Sequence, residues 1–282
     1  MAPLSAEHEE VRVITGPRSG LTMAVAVHRT VDGRSLGGCR MSTYASADDA
    51  IYDVKRLSRA MTFKAVVAGL RLGGGKGVIA LDPAAPPLTG DRRLAALHDF
   101  GELVESFDGR YVTAQDVGVS LEDMTYVVRF TDHLAGHPIE DGGSGDPSPY
   151  TAHGVEIAIR ASLRDTELAH SHVVVIGLGH VGGALAERLS RAGATLTVTD
   201  VNPERRAFAD ELGARWVEPD AALDVEADVL APCALGGILH RETVVRLRTP
   251  IVAGAANNQL ADDSVGDVLR RRGVLWAPDF IA

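Results

Sequence analysis

The sequence predicts an α/β protein of two domains, the second of which contains a doubly wound parallel sheet. The chain has 282 residues, which is more than a single hydrophobic core usually holds. Glycine, proline and small polar residues cluster at residues 140–149, as in a connection between domains. After Thr151, apolar strands alternate strictly with helical segments, and this pattern produces a parallel sheet with helices on both faces. We therefore expect an N-terminal α/β domain at residues 1–135 and a C-terminal doubly wound domain at residues 136–282.

The composition excludes several classes of protein. With 45% apolar and 23% charged residues, the chain is typical of globular proteins rather than disordered ones. Its formal charge of -10 disfavours binding to nucleic acid or to an anionic membrane. Cys39 and Cys233 have no spacing that indicates a disulfide framework or a zinc site, so we expect no metal. The N-terminus does not resemble a signal peptide, and no apolar stretch approaches the ~20 residues of a membrane span. We expect a cytoplasmic protein with small-molecule partners.

Patterns in the first domain indicate a mixture of strands and helices. Ser46 is a suitable N-cap for a helix, because Asp49 follows three residues later and an apolar stripe begins at Ile51. The predicted elements, in chain order, are a strand at 22–27, a helix at 46–61, a glycine-rich patch at 73–77, a strand at 78–81, a helix at 94–104, a strand at 111–113 and a helix at 121–130. The order of these strands in a sheet stays open.

The second domain is predicted to begin with a helix at residues 154–163. The strands that follow are placed at Val173, Leu196, Val229, Ile251 and Val274, with helical segments between them. The first of these strands leads into a glycine motif.

The motif is GxGxxG, and it connects a fully apolar strand to a helix. In residues 173–182 (VVVIGLGHVG), Gly177 permits a tight turn, Gly179 lets a ligand approach the backbone and Gly182 allows close helix packing. Free amides at the start of the following helix bind the pyrophosphate of a dinucleotide. A tight glycine turn without a ligand is the alternative, but the strand and the helix on either side argue against it. We therefore predict a Rossmann domain.

Asp200 decides which dinucleotide is preferred. It ends the next strand, 23 positions after Gly177, where a carboxylate accepts hydrogen bonds from the adenosine ribose. A carboxylate there repels the 2′-phosphate of NADP, although Arg205 and Arg206 partly counter this repulsion. The sequence thus predicts NAD as the cofactor, in preference to NADP.

Two lysines in the first domain are candidates for acid–base chemistry. Lys64 and Lys76 lie twelve residues apart, the second among glycines that allow a tight, water-poor cleft. Desolvation and a neighbouring cation both disfavour an ammonium, so such a lysine can serve as a base. A surface position is the usual alternative for any lysine. A phosphate-loop role for the glycines fails, because Leu70 and Gly77 stand where that motif needs Gly and Ser or Thr. Asp116 follows a predicted strand and either shuttles protons or caps a turn.

Eight short stretches together resemble the amino acid dehydrogenase family that includes the leucine, valine, phenylalanine and glutamate dehydrogenases, and are most similar to its leucine, valine and phenylalanine branch. They occur in family order along almost the whole chain, which chance does not explain. The stretches are residues 36–41 (LGGCRM), 61–64 (MTFK), 72–76 (LGGGK), 113–124 (TAQDVGVSLEDM), 145–149 (GDPSP), 231–236 (APCALG), 254–259 (GAANNQ) and 277–280 (APDF).

The resemblance implies a role for each matched residue. Lys76 is implied as the catalytic base acting with Asp116, and Lys64 as the ligand of the substrate α-carboxylate. Further substrate-binding residues implied are Leu36, Gly37, Gly38, Ala114 and Asn258, of which Leu36 and Ala114 shape the side-chain pocket and fit an apolar substrate. The cofactor-binding residues implied by motif and resemblance are Gly177, Leu178, Gly179, His180, Val181, Gly182, Asp200, Thr151, Cys233, Ala234 and Asn257.

The implied reaction is the reversible oxidative deamination of an L-amino acid, with NAD as hydride acceptor and a 2-oxo acid and ammonia as products. An apolar substrate is expected, branched-chain or aromatic, and so is a symmetric homo-oligomer. The family continues beyond the position of Ala282 with an Asn-Ala-Gly-Gly segment and further pocket residues. A catalytically impaired or regulatory NAD-binding protein, or a C-terminally truncated fragment, is therefore the alternative expectation.

Overall fold

A computed structural model describes residues 7–136, 145–234 and 236–282 of the chain. The chain divides into two compact units, Met1–Asp146 and Pro147–Ala282. The predicted interdomain connection at 140–149 lies partly outside the described residues. Each unit has its own sheet and its own buried core.

The first unit is a mixed sheet with helices on both faces. Its elements are β1 (Glu10–Thr15), β2 (Thr22–Val27), β3 (Ser35–Leu36), β4 (Cys39–Thr43), α1 (Ala47–Val67), β5 (Gly73–Leu81), α2 (Gly90–Glu105), β6 (Tyr111–Val112) and α3 (Leu121–Val127). The described strands are ordered β1-β2-β5-β3-β6, and β4 also pairs with β5. β2 is antiparallel to β5, whereas β3 and β4 are parallel to it. Strand β5 therefore lies at the centre of the sheet.

The two faces of β5 meet different helices. Val78 packs with Ala50 and Val54 of α1. Ile79, one residue later and therefore on the opposite face, packs in the core that contains Leu97 and Phe100 of α2. Ser46 caps α1 by accepting a hydrogen bond from the amide of Asp49, as the sequence predicts. The central strand is thus buried on both sides.

The glycine-rich patch at residues 73–77, which the sequence analysis placed ahead of a strand at 78–81, is part of strand β5 itself. Its glycines are required because neighbouring groups stand where a side chain would be. A Cβ on Gly74 would lie 2.2 Å from the backbone nitrogen of Thr62, and one on Gly75 would lie 2.5 Å from the Tyr111 ring. Glycine alone lets α1 and β6 approach β5 so closely.

The second unit is a doubly wound parallel sheet, which confirms the predicted fold class. Its elements are α4 (Ser148–Leu163), β7 (His172–Ile176), α5 (His180–Arg191), β8 (Thr195–Thr199), α6 (Arg205–Glu211), β9 (Arg215–Trp216), β10 (Val229–Pro232), α7 (Arg241–Arg246), β11 (Ile251–Ala253), α8 (Ser264–Arg271) and β12 (Leu275–Ala277), with short 3-10 helices at Leu168–His170 and Pro219–Asp224. The strand order is β12-β11-β10-β7-β8-β9. Strands β8 and β9 therefore lie on one side of β7 and strands β10 to β12 on the other, so the strand order reverses at β7. Ligands bind at such a switch point in open α/β sheets.

Alternate residues of β7 separate the two faces of this sheet. Val173 and Val175 pack with residues of α4 and α5, including Leu185. Val174 and Ile176 pack in a second core with residues of α7 and α8. A strand buried on both faces shows no polar alternation, which is why its sequence is continuously apolar.

Several predicted boundaries were wrong by a few residues because tertiary contacts extend or end the elements. Helices α2 and α4 begin earlier than predicted, at Gly90 and Ser148, and α3 ends at Val127 rather than at residue 130. Strand β6 ends at Val112, and β12 begins one residue after Val274. The sequence analysis did not identify β1, β3, β4 and β9. None of the helices in the described parts of the chain has the length and apolar character needed to cross a bilayer.

The crowding around β5 gives a prediction for Gly75→Ala. The added methyl would lie 2.5 Å from Tyr111 and 2.9 Å from Ser35 Oγ. The Tyr111 ring is fully buried and its hydroxyl donates to the Gly37 carbonyl oxygen at 2.6 Å, so it has no room to retreat. We expect the free energy of unfolding in denaturant to fall by about 3 kcal/mol, the upper part of the range for overpacking. Gly154→Ala, in α4 with its nearest neighbour at 3.7 Å, should leave stability unchanged or slightly higher. Equal stabilities for the two variants would contradict the packing argument.

Candidate active site

Lys76 and Asp116 form a buried ion pair in the first unit. Lys76 Nζ lies 2.7 Å from Asp116 Oδ2, and the two side chains are 5% and 15% exposed. Lys76 shares the α1 face of β5 with Gly74 and Val78, because side chains alternate along a strand. The surface position that is usual for a lysine is therefore wrong for Lys76. The structure brings together the two residues expected to carry the acid–base chemistry.

Asp116 is held by the segment that follows β6. This segment runs beside β4, with the Cys39 amide donating to the Ala114 carbonyl oxygen at 2.8 Å and the Met41 amide to that of Val117 at 2.9 Å. Gly118 closes the segment at a φ of 79°. Any Cβ there would lie 2.0 Å from the Met41 carbonyl oxygen. Backbone contacts therefore place the Asp116 carboxylate next to β5.

Neighbouring cations keep Asp116 ionised. Burial by itself would raise the pKa of this carboxyl group, but the charges of Lys76 and Arg40 outweigh burial and lower the pKa to about 2. Asp116 is therefore a carboxylate at every pH at which an enzyme of this kind is studied. An ionised acid beside Lys76 stabilises a positive charge whenever Lys76 holds a proton.

Of the two candidate cleft glycines, Gly38 lies against Asp116 and Gly37 lies against Gly75, the residue before Lys76. A Cβ on Gly37 would be 1.8 Å from the Gly75 carbonyl oxygen, and one on Gly38 would be 2.9 Å from Asp116 Cβ. Leu36 pairs with Gly74 on one side and with Val112 on the other. Leu36, Gly37, Gly38 and Ala114 thus lie where β3 and β6 end, close to the ion pair.

Lys64 lies in the last turn of α1 and is half-buried. The same helix is tied to β5, because Thr62 Oγ1 accepts a hydrogen bond of 3.1 Å from the Gly74 amide. Lys64 and Lys76 are therefore carried by two elements that pack on each other.

In the second unit, the glycine turn between β7 and α5 has the predicted form. Gly177 has a φ of 94°, which favours glycine. A Cβ on Gly182 would lie 1.8 Å from the Gly177 carbonyl oxygen, so the helix packs on the turn without room for a side chain. Gly179 is the N-cap of α5, with no side chain capping the helix, and beyond its chain neighbours no atom of the described residues lies within 4 Å of its Cβ position. The first amides of α5, at His180 and Val181, suit a phosphate group.

Asp200 has a structural contact that the sequence did not predict. Its Oδ2 accepts a hydrogen bond of 2.6 Å from the Leu178 amide in the glycine turn. Its Oδ1 accepts one of 2.8 Å from the Asn202 amide. Asp200 therefore fixes the turn as well as presenting a carboxylate at the end of β8.

The remaining cofactor candidates lie around the carboxyl ends of β10 and β11. The Cys233 amide donates to the Ile176 carbonyl oxygen at 2.8 Å, which keeps the end of β10 against β7. Ala234 lies against Gly177, since a Cβ on that glycine would be 2.9 Å from Ala234 Cβ. Asn257, with Asn258, follows β11, and a Cβ on Gly236 would be 2.0 Å from its carbonyl oxygen.

Asn258 and Thr151 complete the predicted set. Asn258 has a φ of 50°, and its amide donates to Asp279 Oδ2 at 3.0 Å. Its buried Nδ2 has no hydrogen-bond partner among the described residues, as expected of a group that awaits a ligand. Thr151 lies in the first turn of α4, where its hydroxyl donates to the Pro147 carbonyl oxygen at 3.1 Å. Across the described ranges, no group of three or more His, Cys, Asp or Glu side chains is arranged to hold a metal.

Sequence reasoning missed the polar residues that surround the pair. Arg40, Asp53 and Tyr44 connect to Asp116 through hydrogen bonds, and Asp279 supports Asn258. Arg40 lies within the LGGCRM stretch and Asp279 within APDF, so the motifs contained both residues without indicating what they touch. Arg40 contacts Asp116, which is 76 positions away in the sequence, and Asp279 contacts Asn258, which is 21 positions away.

Two family descriptions match the chain. "Glu/Leu/Phe/Val dehydrogenase, dimerisation domain" matches residues 3–133, and "D-isomer specific 2-hydroxyacid dehydrogenase, NAD binding domain" matches residues 152–235. The first match covers the unit with the lysines, and the second covers the glycine turn.

Relatives with established names match nearly the whole chain. Leucine dehydrogenase of Thermoactinomyces intermedius is 42% identical over 280 residues, which is 98% of this chain and 75% of that protein. Phenylalanine dehydrogenase of Caldalkalibacillus thermarum is 42% identical over 285 residues, 98% of this chain and 76% of that protein. The solved structure of L-tryptophan dehydrogenase from Nostoc punctiforme superposes with a TM-score of 0.73 at 34% identity, covering 98% of this chain and 79% of that one. Hetero-hexameric glutamate dehydrogenase from Thermus thermophilus shares the fold, with a TM-score of 0.77 at 22% identity and coverage of 97% and 72%.

The low pKa of Asp116 predicts how an Asp116→Asn variant depends on pH. The folded-state pKa of about 2 is below the ordinary value of 3.8, so this carboxylate stabilises the fold above about pH 4. That contribution, on the order of 2 kcal/mol, is lost as the pH falls towards 2. The difference in unfolding free energy between wild type and Asp116→Asn should therefore shrink by roughly 1 kcal/mol from pH 6 to pH 3. Denaturant titrations at several pH values measure it, and a difference independent of pH would contradict the assigned ionisation.

The glycine turn gives a second prediction, which separates ligand binding from folding. Gly182→Ala should unfold the turn, because the methyl would overlap the Gly177 carbonyl oxygen. Gly179→Ala meets no protein atom within 4 Å, so the fold should keep its thermal stability. The methyl would obstruct the approach of a pyrophosphate to the backbone, and we expect NAD affinity in calorimetry to fall by about tenfold or more. Unchanged NAD affinity in Gly179→Ala would place the cofactor elsewhere.

Proposed function

We propose that this chain, which belongs to the Glu/Leu/Phe/Val dehydrogenase family, catalyses the NAD-dependent oxidative deamination of an apolar L-amino acid. Substrate, water and oxidised cofactor give the 2-oxo acid, ammonia, reduced cofactor and a proton. The reaction is reversible. The observation that carries the proposal is the Lys76–Asp116 pair, buried against a strand of glycines.

The use of lysine in this chain supports the assignment. Of its 28 lysine and arginine residues, the three lysines are Lys55, Lys64 and Lys76. Arginine carries most of the positive charges of the chain, and its guanidinium does not release a proton at accessible pH. Two of the three lysines stand at the candidate site positions. A residue that must gain and lose a proton can be lysine but not arginine.

Each residue of the pair has a defined task in the reaction. The substrate amine has to be neutral before hydride leaves its Cα, and water needs a base when it attacks the imine carbon. Lys76 Nζ accepts the proton that this water releases. Asp116 remains ionised and stabilises the ammonium that forms on Lys76, so that the proton can be returned when ammonia leaves.

The other candidates of the first unit orient the substrate. Lys64 binds the α-carboxylate, which fixes Cα relative to the base. Gly37 and Gly38 leave space beside the pair, and Leu36 and Ala114 present apolar surface to the side chain. The relatives named leucine and phenylalanine dehydrogenase support a branched-chain or aromatic substrate.

The second unit fits NAD. The glycine turn, the uncapped start of α5 and the carboxylate of Asp200 match the pyrophosphate and the adenosine ribose of a dinucleotide. NAD, when bound, supplies the acceptor for the hydride. Asn257 and Thr151 would hold its nicotinamide half, and Cys233 and Ala234 would also line the cofactor site. The amide nitrogen of Asn258 has the hydrogen-bonding capacity to bind the substrate.

We also propose that the chain forms a homo-oligomer in the cytoplasm. The description of the first family match as a dimerisation domain supports assembly. A cytoplasmic location fits the two free cysteines, because the reducing cytosol keeps thiols from forming disulfides.

The proposed function predicts NADH formation from apolar amino acids. A panel of L-amino acids with NAD at alkaline pH should show turnover with leucine-like or aromatic members and little with charged ones. Lys76→Ala should lower kcat by about a thousandfold, within the range for loss of a general base, while NAD affinity in calorimetry is retained. Absence of turnover with every amino acid would sink the proposal.

A matched pair of lysine variants tests the proton transfer itself. Lys76→Arg keeps the positive charge beside Asp116 but cannot release a proton, so it should be as inactive as Lys76→Ala. Lys55→Arg makes the same replacement at the lysine that lies outside the proposed site, and it should retain wild-type kcat. Activity in Lys76→Arg would show that Lys76 acts through its charge alone.

A further inference from the structure

Arg40 joins two carboxylates that belong to different elements. Its Nε lies 3.3 Å from Asp116 Oδ2, and its Nη1 lies 3.2 Å from Asp53 Oδ2. The Tyr44 hydroxyl donates to the same Asp53 oxygen at 2.7 Å. A hydrogen-bonded chain therefore runs from Tyr44 through Asp53 and Arg40 to Asp116, and ends at Lys76.

The residues of this hydrogen-bonded network come from different elements of the fold. Arg40 lies on β4, which pairs in parallel register with β5 so that Arg40 is opposite Val78. Asp53 lies in the second turn of α1, and Asp116 lies in the segment after β6. The planar guanidinium bridges helix and segment with two separate nitrogens, a geometry that a lysine ammonium does not reproduce. Arg40 thus sets the orientation of the Asp116 carboxylate relative to α1.

Burial strengthens the ion pairs that Arg40 forms with the two carboxylates. The Arg40 side chain is 13% exposed and that of Asp53 is 23% exposed, so solvent screens them little. Burial acts to lower the pKa of Arg40, but Asp116 and Asp53 outweigh it and raise that pKa further. Arg40 is therefore a permanent cation. Two cations, Lys76 and Arg40, balance two carboxylates, Asp116 and Asp53.

Lys76 and Arg40 share one acceptor. Both side chains contact Oδ2 of Asp116, at 2.7 Å and 3.3 Å. A fixed cation on that oxygen disfavours a second cation beside it, so Arg40 opposes the ammonium form of Lys76. The same contact prevents the carboxylate from turning towards Lys76 alone.

We propose that Arg40 is a positioning residue for the deamination: through Asp53 it fixes the Asp116 carboxylate, and by occupying the shared oxygen it helps Lys76 to release its proton. The catalytic part of this inference rests on the proposed function. The effect of Arg40 on Asp116 does not.

Arg18 provides a matched comparison within the same unit. Its Nη1 lies 2.9 Å from Oδ1 of Asp99, whose side chain is fully buried. Arg18→Gln therefore removes an arginine–carboxylate ion pair at a carboxylate that has no contact with Asp116. A purely structural Arg40 would behave in the same way as Arg18.

The first experiment measures kcat and KM against pH for the full chain. In Arg40→Gln, kcat should fall by about 10- to 100-fold with little change in KM, and the rising limb of the kcat/KM profile should move about one pH unit upward. Arg40→Lys retains the charge but not the two-nitrogen bridge, so kcat should fall by several-fold while the limb stays within a few tenths of a unit. Arg18→Gln should leave both the limb and kcat at wild-type values.

The second experiment does not depend on activity. In the chain labelled with carbon-13 at aspartate, the Asp116 carboxyl signal is assigned by its absence in Asp116→Asn. Its pKa of about 2 should rise towards the ordinary 3.8 in Arg40→Gln and stay unchanged in Arg18→Gln.

The outcomes separate the two proposals. If no amino acid is turned over, the proposed function fails, and the carboxyl titration still decides whether Arg40 controls Asp116. If turnover is present but Arg40→Gln moves neither the limb nor the titration, Arg40 is structural only and the proposed function stands.

Discussion

Close backbone packing around strand β5 is the constraint on which the first unit depends. The carbonyl oxygen of Gly75 occupies the position where Gly37 would carry a Cβ, at 1.8 Å. Glycine is therefore required at position 37, and the first five residues of β5 carry one side chain, that of Lys76. Lys76 is almost fully buried, so an ionised protein group rather than bulk solvent balances its charge. The segment after β6 supplies that partner in Asp116, and the contacts of Gly38 and Gly118 keep the segment in place.

A buried ion pair of this kind is not retained for stability alone. Removing two charges from water costs several kcal/mol per ion, and well-packed apolar residues often replace such pairs without loss. The pair makes chemical sense, because a low-dielectric cleft makes the proton affinity of Lys76 responsive to every neighbouring charge. Arg40 and Asp53 then position the Asp116 carboxylate for the reaction as well as stabilising the fold.

In the second unit, too, close packing requires glycine at particular positions. Gly182 is required by the Gly177 carbonyl oxygen, whereas Gly179 is required by nothing in the protein itself. Asp200 fixes the turn through the Leu178 amide while it stands at the end of β8. One set of residues therefore serves the fold and another leaves space for a dinucleotide. The distinction is visible only when the neighbours of each glycine are known.

The sequence by itself determined the α/β class, the doubly wound second domain, the glycine turn and the family, because each depends on local periodicity or on short motifs. It also predicted Lys76 and Asp116 as partners, through the resemblance. Only the tertiary structure decided that residues 73–77 are a strand, since glycines carry no side chains whose alternation could reveal one. It alone joined Arg40 to Asp116, 76 positions away, because that contact depends on the register of β4 against its neighbours and not on any local pattern.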